Sequence, residues 1–181
     1  MKIDILFLNN EMNGHDEYFD NDLFQEYCET HSFEGKKNQI LSVPPSYSKS
    51  ENLTFIVGLG ENKEDINFYD LGTLIGSKIN SDAEIKFLNV MEDTNLIIDG
   101  ILYVQYKFNN YKSEDDSSVN NITFQDLDSS ENEIKKNSVF WVRDLINTPA
   151  LDKSPEEFIN KVRELVDSSG IEVEVYDQKW L

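Results

Sequence analysis

Apolar side chains in this sequence arrive in short bursts, and the spacing inside each burst changes along the chain. Ile3 to Leu8 is a run of β-forming residues that predicts a largely buried first strand. From Asp16 to Thr30 the residues Phe19, Leu23, Phe24 and Tyr27 recur at three-to-four spacing, which predicts a helix with one apolar face. Phe33 to Val43 reads as extended, and Pro44-Pro45 ends it because neither residue can donate a ladder hydrogen bond. Leu53 to Leu59 predicts a second buried strand, closed by the turn Gly58-Leu59-Gly60. Phe68, Leu71, Leu74, Ile75 and Ile79 then mark the buried face of a helix. Within it Gly72 and Gly76 lie four apart, and since an internal glycine costs about 1 kcal/mol against alanine, the pair predicts close approach of a neighbouring element.

Ile85 to Val90 reads as another strand, Leu96 to Tyr106 as a helix buried on several sides, and Ile122 to Phe124 as an extended run. Alternating strands and helices predict an α/β layered fold. The polar stretch Asp126 to Ser138 is where a domain boundary is expected, dividing the chain into 1–130 and 131–181. Beyond it Val139 to Ile146 is helical in pattern and closes at Asn147-Thr148-Pro149. The next helix carries a full start signal, with Ser154 to cap it, Pro155 at its first position and Glu157 to complete a capping box; Gly170 ends it. Ile171, Val173 and Val175 alternate with Glu172, Glu174 and Tyr176, which predicts a half-buried strand. No internal repeat is visible.

Charge narrows the partners. The 181 residues include 16 basic and 35 acidic side chains, a net charge of −19 at pH 7. Such a field repels phosphate backbones and anionic lipid, so neither nucleic acid nor a membrane is expected as a partner. Asp4 interrupts what would be the apolar run of a signal peptide, and no stretch has the length of a membrane span, so the expected location is cytoplasmic. Cys28 is the only cysteine, which excludes an intrachain disulfide; Glu26 and Glu29 beside it argue against a thiolate nucleophile, and it is expected to be a half-buried helix residue.

Candidate chemistry is sparse. The turn Gly58-Leu59-Gly60 invites a phosphate-cradle reading, yet Lys63 stands where the dinucleotide fingerprint has its last glycine, and Glu61, Glu64 and Asp65 would repel an anion. His15 and His31, the only histidines, lack metal-ligand spacing. Asp128 to Glu133 looks superficially like a calcium loop but has Glu133 where the glycine belongs, so a solvated linker is expected there; Asp115 and Asp116 read as solvated loop charges. No nucleophile elbow occurs. The sequence thus offers no catalytic, cofactor-binding or metal-binding residue.

Two stretches resemble the leucyl (cytosol) aminopeptidase family. In the first, Phe55-Ile56-Val57-Gly58-Leu59-Gly60 is followed by the helix with Gly72 and Gly76, then by Asp99-Gly100-Ile101-Leu102, and finally by Tyr106-Lys107-Phe108-Asn109-Asn110-Tyr111-Lys112. In the second, Arg143-Asp144-Leu145-Ile146-Asn147-Thr148-Pro149 precedes Ser154-Pro155-Glu156-Glu157, similar to the segment that joins that family's two domains. The resemblance implies a macro-domain-like, three-layer fold with a mixed central sheet for the first domain, followed by a linking helix and a helix-strand unit. It further implies the N-terminal, non-catalytic part of a hexameric exopeptidase that removes N-terminal residues with two divalent metal ions, manganese or zinc, this part supporting assembly or gating. Its partners would be its own catalytic domain, sister subunits and, in the whole enzyme, peptide substrates. The family's lysine- and carboxylate-bearing catalytic segments do not occur here, so no metal ligand carries over. Tyr106, Phe108, Tyr111 and Lys112 are expected to be packing residues, and Arg143 with Asp144 a structural pair. The alternative is a self-standing module of that fold holding a nucleotide-derived ligand near Gly58–Gly60.

Overall fold

A computed structural model describes residues 1–111, 119–167 and 169–176. Its centre is a five-stranded mixed sheet in the order β2-β3-β1-β4-β5. The strands are β1 (Lys2–Leu8), β2 (Ile40–Val43), β3 (Leu53–Gly58), β4 (Ala83–Phe87) and β5 (Ile122–Phe124). All neighbours pair in parallel except β2, which runs antiparallel to β3 at the edge.

Alternation along β1 explains the layering. Ile3, Ile5 and Phe7 pack with residues of α2 (Phe68–Gly76) and α3 (Thr94–Tyr103), whereas Leu6 and Leu8 pack with Phe24 and Cys28 of α1 (Asn21–Thr30). Helices therefore cover both faces of the sheet, and β1 reads as a continuous apolar run because it is buried on both sides. Asp4, 3% exposed, is the exception on the α1 side. Its carboxylate accepts hydrogen bonds from Ser50 Oγ and from Asn52 Nδ2 at 3.1 Å, which supplies donors to a charge that would be costly to bury alone.

The glycines of α2 face α3. A Cβ at Gly72 would lie 2.1 Å from the carbonyl oxygen of Ile97, and one at Gly100 would lie 2.2 Å from that of Tyr69. The two helix backbones touch here, which is the close approach the Gly72/Gly76 pair predicts. The crossing also explains the Asp99-Gly100 pair: Gly100 faces α2, while buried Asp99 accepts a 2.7 Å hydrogen bond from Asn132 Nδ2.

Several expectations are corrected. Leu23 is 46% exposed, and Phe19, although buried with Phe24 and Cys28 as expected, precedes α1. The extended run Phe33–Val43 forms a strand only from Ile40, because glycine at 35 and asparagine at 38, both with positive φ, fold the preceding residues into turns. The expected linker is helical: α4 (Ser130–Asn147) begins inside the polar stretch, where Asp128 Oδ1 accepts from the Ser130 N–H at 3.0 Å. Glu131 with Lys135, on the exposed side, and Glu133 with Lys136, partly buried, form ion pairs along it. The strand expected over 171–176 does not form; these residues are irregular, with Ile171, Val175 and Tyr176 exposed. Period-two alternation prepares one face for burial, but a strand also needs a neighbouring edge for its peptide groups. The helix-strand unit of the sequence reading is thus a helix, α5 (Pro155–Val166), followed by irregular chain.

The described chain divides into two compact units, Met1–Phe140 and Trp141–Leu181. The first holds the sheet and both apolar clusters. In the second only Leu145 and Thr148 are buried among the described residues.

Candidate functional site

Open α/β sheets take ligands at the carboxyl ends of their parallel strands, so the ends of β1, β3 and β4 are the first place to look. The Gly58-Leu59-Gly60 turn lies there, and its amides are already used. Gly58 N–H donates to the Gln39 carbonyl at 2.8 Å, Leu59 N–H to the Leu8 carbonyl at 2.8 Å, and Gly60 N–H to the Gly35 carbonyl at 2.9 Å. A Cβ at Gly58 would meet the Lys36 carbonyl oxygen at 2.1 Å, so the chain's own segment fills the space a phosphate would need. These glycines admit the backbone of residues 35–39 to the end of β3.

The end of β4 is closed in a similar way. Asn89 Oδ1 accepts from Phe7 N–H at 2.9 Å while Asn89 Nδ2 donates to the Phe7 carbonyl at 2.8 Å, adding one rung between β1 and the chain after β4. Beside it lies a cleft of about 500 Å³ lined by Glu64, Ile66, Phe68, Val90, Met91, Glu92 and Asp93. Three carboxylates and no basic residue line it, a setting that disfavours anions.

The remaining candidates are structural. Cys28 is buried, and that burial pushes its thiol up to about 11, so it is no nucleophile near neutrality. Burial, and not the neighbouring glutamates of the sequence reading, is the cause, and the residue is fully rather than half-buried. The His15 ring stacks on Phe24 with centroids 4.4 Å apart, its Nδ1 lies 2.5 Å from the Met12 carbonyl oxygen, and its Nε2 lies 3.2 Å from Asp16 Oδ1. His31 stacks on Tyr27 at 4.1 Å. Asp128 serves as a cap, and hydrogen bonds from Ser130 hold its carboxyl below the usual range. Among the described residues no three His, Cys, Asp or Glu side chains converge in a way that could hold a metal ion.

The residues that carry the family resemblance are packing residues where they are described. The Tyr106 and Phe140 rings meet edge-on at 5.2 Å, and those of Phe108 and Tyr111 lie 5.8 Å apart. Arg143 and Asp144 lie on α4, and the Asp144 carbonyl accepts from Thr148 Oγ1 at 2.7 Å. Lys112, Asp115 and Asp116 lie outside the described residues. Sequence reasoning missed Asn132, which is 2% exposed and donates both to Asp99 and, at 3.0 Å, to the Asn95 carbonyl. Its only signal is an asparagine in a stretch whose polarity otherwise reads as a linker.

No known family profile matches the chain. Curated sequences named probable cytosol aminopeptidase do align with it, at 24–28% identity over 81–88% of its length. That of Clostridium tetani is 24% identical over 186 aligned positions, covering 88% of this chain and 37% of the relative. This chain is similar to the N-terminal part of the cytosol aminopeptidases. Solved structures agree on the fold: a tomato leucine aminopeptidase variant superposes with a TM-score of 0.68 at 13% identity, covering 92% of this chain and 39% of that one. The cytosol aminopeptidase of Coxiella burnetii gives 0.67 at 20% identity, covering 92% and 36%. The chain spans only about a third of the length of the curated relatives it matches. No helix among its described residues is long and apolar enough to cross a membrane.

Proposed function

We propose that this chain is the N-terminal, non-catalytic portion of a leucyl-type aminopeptidase, a hydrolase that removes N-terminal residues from peptides. The observation that carries the reading is the alignment of cytosol aminopeptidases over 81–88% of the chain, which matches only 34–37% of their length. In this reading residues 1–130 form the macro-domain-like unit, and 131–181 form the interdomain helix and the start of the peptidase domain. The portion supports assembly or gating of a cytoplasmic homo-hexamer, and peptide substrates are handled elsewhere in the enzyme.

Two divalent ions, manganese or zinc, would polarise the scissile carbonyl and activate water in the whole enzyme. The described residues do not fit such a pair, since they bring no three metal-ligating side chains together. The purified chain, incubated with leucine p-nitroanilide and manganese, is expected to give background hydrolysis. Robust metal-dependent turnover would end the reading.

The alternative, a self-standing module for a nucleotide-derived ligand, is disfavoured by the three turn amides already bonded to protein carbonyls. Calorimetry with ADP-ribose should show no heat of binding at millimolar ligand.

A further inference from the structure

Only one asparagine in the sequence is followed by glycine, at Asn13-Gly14. Both residues are exposed in the loop between β1 and α1, and Gly14 has a φ of +87°. The flanks of this turn are tied down. Met12 N–H donates to the Asn9 carbonyl at 3.0 Å, and the His15 carbonyl accepts from Tyr18 N–H at 2.9 Å and from Phe19 N–H at 3.0 Å. The turn itself is open: among the described residues no carbonyl accepts from the Gly14 N–H, and a Cβ built there meets nothing within 4 Å. The Asn13 carboxamide lies on the surface, its Nδ2 donating to Glu11 Oε2 at 2.8 Å.

We infer that Asn13 is a site of spontaneous covalent modification, at which the carboxamide becomes an aspartate or isoaspartate through a cyclic imide. Hydroxide takes the Gly14 amide proton, and the nitrogen's electron pair forms a bond to Asn13 Cγ. The Cγ–Nδ2 bond breaks, and Nδ2 takes a proton from water and leaves as ammonia, which returns the hydroxide. Water then adds to either carbonyl of the imide and opens it, so the sum is one water consumed and one ammonia released, with no change of oxidation state. The step needs a following nitrogen that is neither crowded nor already bonded, on backbone free to bend into the ring. Gly14 has no Cβ to obstruct the attack, and an exposed loop tip supplies the freedom. Other asparagines lack one condition or more. Asn89 is bonded to Phe7 through both atoms of its amide and precedes β-branched Val90, and Asn132 is buried within α4. Asn80 is exposed but precedes Ser81, which carries a Cβ.

The modification turns an attraction into a repulsion. Glu11, which accepts from the carboxamide, would face a second carboxylate, in a loop that already carries Asp16 and Glu17. Met12 packs against the α1-side cluster and the His15 ring stacks on Phe24, so loosening this loop disturbs the same face of the core. The inference does not depend on the aminopeptidase reading.

The test ages the purified 181-residue chain in mildly alkaline buffer and follows each asparagine by mass spectrometry of its proteolytic peptides. The Asn13 peptide is expected to gain one mass unit before those of Asn80, Asn89 and Asn132, and to split into two products of equal mass, aspartyl and isoaspartyl. Its rate should rise with pH and fall at least about tenfold in Gly14→Ala, where a Cβ crowds the attacking nitrogen. Because alanine at that φ also strains the loop, the native sequence is measured unfolded in guanidinium chloride as well. The folded chain is expected to react no more than about tenfold more slowly than the unfolded one. Greater protection in the folded chain would overturn the inference, as would earlier reaction of Asn80 or an unchanged rate in Gly14→Ala. Loss of the amide without an isoaspartyl product would overturn the imide route in favour of direct hydrolysis.

Discussion

The two units are built from similar proportions of apolar residues but spend them differently. In Met1–Phe140 the central strand is covered on both faces, with Ile3, Ile5 and Phe7 on one side and Leu6 and Leu8 on the other. In Trp141–Leu181 the helices α4 and α5 leave Ile146 and Leu165 in solvent, and Leu151, between the two helices, is exposed as well. Helix signals alone do not make a folded unit: α5 has its cap and its first-turn proline yet buries nothing. Local order there comes from capping and helix propensity, whereas order in the first unit comes from burial on two faces of a sheet.

Substitutions should separate these two sources of order. The largest effect is expected from Phe24→Ala, since Phe24 is 1% exposed and stacks on Phe19 at 4.8 Å. Urea denaturation should show a loss of about 3–5 kcal/mol; a loss below about 1 kcal/mol would mean that the α1 face is not a true core. Asn132→Ala should cost about 1–3 kcal/mol by the same measurement, because it leaves the buried Asp99 carboxylate without its 2.7 Å donor. Asn132→Asp, which offers oxygen to oxygen, should be no better.

A smaller effect depends on pH. The Cys28 thiol is raised from 9.0 to about 11 by burial, so between those values the unfolded chain gives up this proton while the folded chain keeps it. The folded state then binds more protons, and its stability falls as pH rises through that window. Below pH 9 both states hold the proton and the group contributes no pH dependence. Cys28→Ala should remove this part of the alkaline decline, measured as the difference between the two proteins' melting temperatures from pH 8 to 11. In the second unit Ser154→Ala removes the hydroxyl that accepts from Glu157 N–H at 3.2 Å. It should cost about 1 kcal/mol of local helix stability, read as faster amide exchange in α5 with the sheet unchanged. The smallest effect is expected from Leu165→Ala, within about 0.5 kcal/mol, since the side chain is 55% exposed. A loss above about 2 kcal/mol would show that the second unit has a core after all.

What the sequence disclosed follows the same division. The strands β1 and β3, the glycine-faced helix α2 and the start of α5 were legible because each rests on local pattern: a β-rich run, a three-to-four spacing, a cap followed by proline. The start of α4 was hidden because it is held by the Asp128 cap and by ion pairs, which look in sequence like a solvated linker. The strand expected at 171–176 failed for the opposite reason, since its alternation is real but no strand edge among the described residues pairs with it. At the ends of the sheet strands the glycines at 58 and 60 were visible, but that their amides are taken by the carbonyls of Gln39 and Gly35 depends on contacts distant in sequence. The family resemblance was legible because its motif residues recur in order, and the rings of Tyr106, Phe108 and Tyr111 pack against neighbouring aromatics.

The side chain of Asn89 completes the account of how the sheet ends. Facing Phe7 it must present an acceptor and a donor at once, as another peptide group would. Only a carboxamide of this length does both. Hydrolytic ageing of that amide to an acid would set like charge density against the Phe7 carbonyl and unzip the last rung from the margin inward, making one nitrogen atom the guardian of the sheet's outer hem.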